Sequence, residues 1–219
     1  MKITLPKTSD PVHVGKLLCI GRNYADHAAE MDREVPDEPM VFLKPASALV
    51  RTGGAVQLPP QSEEVHHEVE LVAAIGTTGK NIPRNEALDH VAGYGLGLDM
   101  TARDLQTKAK ERRHPWSVAK GFDTFAPLGP LTPAAAVDDP QNLSLRLAVN
   151  GEIRQHASTQ NLIFPVEELV HYCSQIFTLE AGDLLYTGTP SGVGPVVNGD
   201  TLEASATDLE PLRVSVQRS

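Results

Sequence analysis

Glu68 and Glu70 stand two residues apart in the segment Val65-His-His-Glu-Val-Glu-Leu71. The alternation there is that of a strand, so both carboxylates point to the same side, a few ångströms apart. Like charges so close oppose each other unless a cation or a proton lies between them. Acidic residues are mostly exposed, so a solvated outer face is the alternative reading. Val65, His67, Val69 and Leu71 share the opposite face, which places that side in the interior and raises the cost of an uncompensated pair. Asp99 closes Tyr94-Gly-Leu-Gly-Leu-Asp99, where Gly95 and Gly97 are expected to leave open space beside it. Three carboxylates form an all-oxygen site suited to Mg2+ or Mn2+, with Ca2+ as a substitute, and argue against zinc or copper. His67 reads as a hydrogen-bonded core histidine, and His66 as a competing or outer ligand.

His27 and Glu30 lie three apart on a helix expected after Asn23, its N-cap. The carboxylate can hold one imidazole nitrogen and leave the other to take a proton from water. A surface pair on an amphipathic helix is the competing reading. The loop Thr187-Gly-Thr-Pro-Ser-Gly-Val-Gly-Pro195 matches neither a phosphate loop nor a serine-hydrolase elbow. It can offer backbone N–H groups and the Thr189 hydroxyl to a small carboxylate, or simply connect two strands. Arg103 and Gln106 share one face of a helix that Thr101 is expected to cap, with Asp104 completing a capping box. The basic run from Lys108 to Arg113 reads as cations near that helix's C-terminus.

These groups need a scaffold, and 219 residues supply one sizeable core. Seventeen Gly and seventeen Pro favour many short strands joined by turns, hence a strand-rich α+β class. Strands are expected at Leu17–Ile20, Met40–Pro45, Ala55–Leu58, Val65–Ile75, Tyr94–Asp99, Asp183–Thr187 and through Thr201–Val216. Asn150-Gly151 between two alternating runs predicts a hairpin with a type I′ turn. The spacing of Val166, Leu169, Val170 and Cys173 predicts a helix within 162–177. The simplest partition is a single domain over 1–219, in which 1–50 could form a small N-terminal lobe with a lid helix.

Lys plus Arg number 19 and Asp plus Glu 28, a net charge of −9. That balance disfavours nucleic-acid and anionic-membrane partners and makes any anionic substrate depend on a metal or on locally gathered cations. No stretch reaches the roughly 20 apolar residues of a membrane helix, and the first 19 residues lack a signal peptide's apolar run, so a cytoplasmic setting is expected. Cys19 and Cys173 sit in separate apolar segments and read as buried thiols.

Taken in order, six segments resemble the fumarylacetoacetate hydrolase family: Gly21-Arg-Asn-Tyr-Ala-Asp-His27-Ala-Ala-Glu30, Phe42-Leu-Lys44-Pro45, His66-His-Glu68-Val-Glu70-Leu, Gly97-Leu-Asp99-Met-Thr-Ala-Arg103-Asp-Leu-Gln106, Pro115-Trp-x-x-Ala-Lys120 and Thr187-Gly-Thr189-Pro-x-Gly-Val-Gly. The likeness runs from about residue 16 to the C-terminus and is strongest to short members, the acylpyruvate hydrolases and oxaloacetate decarboxylases. It implies a mixed β-sandwich roll, a homodimer, and Mg2+ or Mn2+ at Glu68, Glu70 and Asp99. It also implies a water-activating dyad of His27 and Glu30 on a mobile lid, Lys120 beside a developing enolate, and Arg103, Gln106, Lys44 and Thr189 near the substrate. Fumarylacetoacetase itself has a further aspartate ligand near the first segment, where this chain reads Gly21-Arg-Asn-Tyr24. The implied reaction is hydrolytic C–C cleavage of a 2,4-dioxo acid, an acylpyruvate or fumarylpyruvate, to pyruvate and a carboxylic acid. The alternatives are oxaloacetate decarboxylation or tautomerisation, isomerisation of an unsaturated dicarboxylic keto acid, and a metal- or ligand-binding β protein without turnover.

Overall fold

The computed structural model describes residues 1–25 and 36–218. The expected lid helix, with His27 and Glu30, falls outside the described residues.

The strands Leu17–Gly21 and Val69–Ile75 are apolar on both sides, the pattern of strands covered on both faces. Alternate residues enter two separate clusters. Leu18, Ile20, Leu71, Ala73 and Ile75 pack with Leu145, Leu147, Leu202, Leu212 and Val214. Leu17, Cys19, Val72 and Ala74 pack instead with Ile3, Leu5, Ala48, Leu184 and Tyr186. The sheet they share is eight-stranded and mixed, in the order Met40–Lys44, Leu17–Gly21, Leu184–Tyr186, Val69–Ile75, Val91–Leu98, Ala126–Leu128 and Leu49–Arg51, with Thr132–Pro133 also paired to Val91–Leu98.

One face of that sheet is covered by a five-stranded sheet ordered Glu152–Ser158, Ser144–Val149, Thr201–Ala206, Leu209–Arg218 and Ala55–Leu58. Its first hairpin turns at Asn150 (φ 52°) and Gly151 (φ 83°), both in the left-handed region that the predicted type I′ turn requires. A helix, Val166–Ile176, buries Val166, Leu169, Val170 and Cys173 as its spacing predicts. The architecture is the expected strand-rich sandwich roll with few helices. Cys19 and Cys173 are free and buried.

The expected single strand over Val65–Ile75 is two strands. Val65–His67 lies in a three-stranded sheet between Thr101–Ala102 and Gly194–Val196, while Val69–Ile75 lies in the large sheet. Glu68 is the break, and its antiparallel neighbour breaks at the same level: Asp99 N–H donates to Glu68 O at 2.8 Å, between Leu98, paired with Val69, and Thr101, paired with His66. Two neighbouring strands thus leave one sheet for another together, and each presents a carboxylate at the crossing.

One expected helix cap does other work, and Asn23 is tied to distant backbone groups, while the helix it was expected to cap lies outside the described residues. The Thr101 hydroxyl donates to Glu68 Oε1 at 3.0 Å, and the helix Arg103–Glu111 starts after Ala102 with no side-chain cap. The Asn23 carboxamide donates to Phe164 O at 2.9 Å and Thr187 O at 2.8 Å, and accepts from Phe164 N–H at 2.8 Å. In both cases a buried polar group elsewhere in the chain claims the side chain.

The space at Gly95 and Gly97 is also filled. A Cβ on Gly97 would stand 2.5 Å from both the Tyr186 ring and Val72 Cγ2, and one on Gly95 would stand 2.9 Å from Pro130 O. The glycines admit neighbouring protein rather than a ligand. Gly97→Ala is expected to lower stability by about 1–3 kcal/mol through overpacking, read by urea unfolding; an unchanged midpoint would mean that Tyr186 repacks freely.

Candidate metal centre

Glu68, Glu70 and Asp99 converge so that one carboxylate oxygen from each lies within 4.8 Å of the others. They are 6%, 1% and 1% exposed, which removes the solvated-face reading of the Glu68–Glu70 pair. Glu70 lies opposite Gly97 in the large sheet, and its Oε2 accepts from Gly188 N–H at 2.8 Å. The loop that opens at Thr187 is therefore tied to the centre by its backbone. Thr187 N–H and Oγ1 both donate to Leu71 O at 3.0 Å.

Cations answer the carboxylates. Lys120, on the single helical turn Ser117–Lys120, donates to Glu68 Oε2 at 2.9 Å and Asp99 Oδ2 at 2.5 Å. Arg103 Nη2 lies 2.5 Å from Glu68 Oε1, and its Nη1 donates to Gln106 Oε1 at 2.7 Å. Lys44 pairs with Asp99 Oδ1 and donates to Met100 O at 2.9 Å. Its side chain has no exposure, so what Lys44 touches is the back of a carboxylate and not the cleft. His66 accepts from Arg103 Nε at 3.4 Å, and its other ring nitrogen meets Glu64 at 2.8 Å, outside the ligand cluster. His67 is buried and bonded to Gln155, as a core histidine should be.

These neighbours separate the two glutamates. Burial alone would raise Glu68, but the Lys120 and Arg103 charges and hydrogen bonds hold it well below the usual carboxylate range. Glu70 is pushed well above that range, first by burial and then by the Asp99 charge, which outweigh the Gly188 N–H bond. Lys120 is raised despite its burial, because Asp99 and Glu68 hold its proton. One carboxyl of the cluster is thus poorly compensated by the chain itself. Three converging carboxylates, one of them short of positive charge, fit a hard divalent cation with oxygen ligands.

The cluster floors an open cleft. Arg103, Gln106, Lys120 and Thr189 line it with the three carboxylates. The structure thus gathers eight of the sequence-derived site residues at one place, seven of them around the cleft and Lys44 behind it. It adds residues that were not among the site candidates: Arg22, Met40, Phe42, Lys110 and Trp116 also line the cleft. Phe42 and Trp116 meet edge to face at 5.7 Å, and the Lys110 ammonium lies 5.3 Å from the Trp116 ring centroid. Lys110 belongs to the basic run read above as a helix-terminal feature. Arg22 carries the one available local signal: its φ of 58° is an uncommon backbone for a bulky side chain, and such strain gathers at functional sites.

Residues 16–217 match the profile of the fumarylacetoacetate (FAA) hydrolase C-terminal family. The mitochondrial oxaloacetate tautomerase of Arabidopsis thaliana is 47% identical over 203 residues, 93% of this chain and 91% of its own length. The fumarylpyruvate hydrolase of Pseudomonas aeruginosa, solved with Mn2+ and pyruvate, superposes with a TM-score of 0.94 at 42% identity, covering 100% of this chain and 96% of its own. The 5-carboxymethyl-2-hydroxymuconate delta-isomerase of Mycobacterium smegmatis gives 0.86 at 40% identity, over 95% and 81%. Hydrolase, tautomerase and isomerase names thus occur among relatives of similar identity. Their common fold and the match along nearly the whole sequence lead to one conclusion: the chain belongs to the fumarylacetoacetate hydrolase family.

Proposed function

We propose that the protein is a divalent-metal-dependent hydrolase that cleaves a 2,4-dioxo acid to pyruvate and a carboxylic acid. The observation that carries this reading is the buried triad Glu68, Glu70 and Asp99 at the floor of a small cleft, with Lys120 and Arg103 beside it. A solved relative holding Mn2+ and pyruvate supports it.

The three carboxylates would hold Mg2+ or Mn2+, which supplies Lewis acidity toward the substrate's 1-carboxylate and 2-oxo oxygens. Arg103, kept in place by Gln106 and Glu68, offers a guanidinium to the anionic end of the substrate. His27, steadied by Glu30, takes a proton from water as its oxygen attacks C4. The C3–C4 bond then breaks with its electron pair passing to the pyruvate enolate, which is protonated at C3. Lys120 stands where that negative charge develops and its proton is firmly held, so it acts as an electrostatic partner.

Oxaloacetate decarboxylation or tautomerisation is the second reading, favoured by relatives so named. Neither needs an attacking water. Purified protein stripped with chelator and resupplied with Mg2+ or Mn2+ should restore loss of the enol absorbance of acetylpyruvate. Restored turnover of oxaloacetate alone transfers the assignment to the second reading. His27→Ala should cost about 10²–10⁴-fold in acylpyruvate cleavage while metal binding persists; full activity in that variant removes the dyad from the mechanism. Lys120→Met should lower kcat by roughly 10²–10³-fold.

Glu70 gives a test that needs no turnover. Its folded-state pKa lies above the unfolded one, so the metal-free protein binds an extra proton when folded and loses stability as pH rises from the ordinary carboxylate range to the raised value. Glu70→Gln should remove that loss, a slope of about 1.4 kcal/mol per pH unit within the window. It should also abolish the rise in Tm that Mn2+ gives the wild type. A variant that Mn2+ still stabilises fully would exclude Glu70 as a ligand.

A further inference from the structure

Gln155, from the outer hairpin of the five-stranded sheet, is 1% exposed and reaches the loop that borders the cleft. A carboxamide's oxygen and nitrogen are told apart by the polarity of their partners. Here two backbone groups of fixed polarity settle it. Val69 N–H, a donor, lies 3.0 Å from Oε1, and Pro190 O, an acceptor, lies 3.0 Å from Nε2. The remaining two bonds then have a forced sense. His67 Nδ1, 3.1 Å from Oε1, must carry a proton, and Thr189 Oγ1, 2.9 Å from Nε2, must accept one.

A hydroxyl has a single proton to give. Thr189 is 4% exposed and lines the cleft, and among the described residues its O–H makes no hydrogen bond to the protein. With one of its two lone pairs engaged by the amide behind it, the hydroxyl has its proton left for whatever occupies the cleft in front.

We infer that Gln155 is a positioning residue that biases the polarity of Thr189, engaging one lone pair and presenting its hydroxyl as a donor to an anionic oxygen, such as the carboxylate of a keto acid. This inference rests on the proposed function for the identity of that ligand. The device suits a site for anions: an unoriented hydroxyl has both lone pairs free to face a carboxylate, whereas this one has one of the two engaged by Gln155 and its proton still to give. It also couples the loop to the strand that carries the triad, since Val69 lies between Glu68 and Glu70.

The test is calorimetric binding of pyruvate to the Mn2+-loaded protein, with kcat and KM for acetylpyruvate in parallel. Thr189→Val should weaken pyruvate binding by about tenfold, the loss of a hydrogen bond to a charged group. Thr189→Ser, which keeps the hydroxyl, should stay near wild type. Gln155→Glu reverses the partner: its carboxylate accepts the Thr189 proton and turns the hydroxyl's lone pairs toward the cleft. It should weaken pyruvate binding at least as much as Thr189→Val and raise KM more than it lowers kcat, yet add little when combined with Thr189→Val. Penalties that multiply in the double variant, or an unaffected Gln155→Glu, overturn the inference. Should Gln155→Glu fail to fold, the wild type still decides, because 15N chemical shifts must show His67 protonated at Nδ1; a neutral ring protonated at Nε2 contradicts the assigned amide. A protein that turns over no keto acid but binds pyruvate with this coupling defeats the proposed hydrolase and leaves the inference standing. Failure of the wild type to bind pyruvate overturns the inference itself.

Discussion

Three carboxylates buried within 4.8 Å of one another are the constraint from which the rest of the molecule can be understood. At an effective dielectric near 20, each ionised pair at that spacing repels by at least about 3 kcal/mol. Three such pairs together approach the whole net stability of an ordinary domain, about 5–15 kcal/mol. The fold must therefore carry positive charge to the same place, and it does so from three separate segments: Lys44 at the end of an edge strand, Arg103 at the start of a helix and Lys120 on a single helical turn. Glu70 receives a backbone N–H but no direct ion pair among the described residues. Its proton is consequently held hard, which marks the position that a divalent cation would relieve most.

Such a cluster survives because of where it lies in the sheets. The strand Val69–Ile75 is covered on both faces, by the five-stranded sheet on one side and by the second apolar cluster on the other. Glu70, next to its start, is the one charged residue along it. At the paired break at Glu68 and Asp99 the two strands leave the large sheet together, retain a hydrogen bond between Asp99 N–H and Glu68 O, and resume pairing in the small sheet. Backbone hydrogen bonding is thus preserved through the crossing while two acidic side chains enter a space that the sheet would otherwise close. The same arrangement ties the centre to the sheets, because Glu70 stands on a strand, Glu68 and Asp99 sit between paired strands, and the loop is bound to Glu70 and Leu71 by backbone groups.

The outer cleft has a different character. Met40, Phe42 and Trp116 supply an apolar wall, and Arg22 and Lys110 bring cationic groups to it. The inner end is built to hold charge in a fixed geometry, and the outer end combines apolar area with positive charge. Solved relatives bearing hydrolase and isomerase names share the fold.

Much of this was legible in the chain. The Asn150-Gly151 turn, the apolar face of Val166–Ile176 and the adjacency of Glu68 and Glu70 are short-range features, decided by backbone geometry within a few residues. The order of six segments was enough to identify the family, and with it the metal ligands and Lys120 as candidates. The readings that failed were local ones overruled by distant partners. Thr101 looks like a helix cap until Glu68 claims its side chain. Gly95 and Gly97 look like openings until Pro130, Val72 and Tyr186 fill them. Lys44 meets Asp99 across 55 residues of sequence, and Gln155 meets Thr189 across 34. The sequence by itself determined which chemical groups are present and how near neighbours along the chain are oriented, because covalent geometry limits those choices. Tertiary structure decided which buried polar groups satisfy one another, because burial makes an unpaired donor, acceptor or charge too costly to leave, and its partner is chosen by proximity in space rather than in sequence.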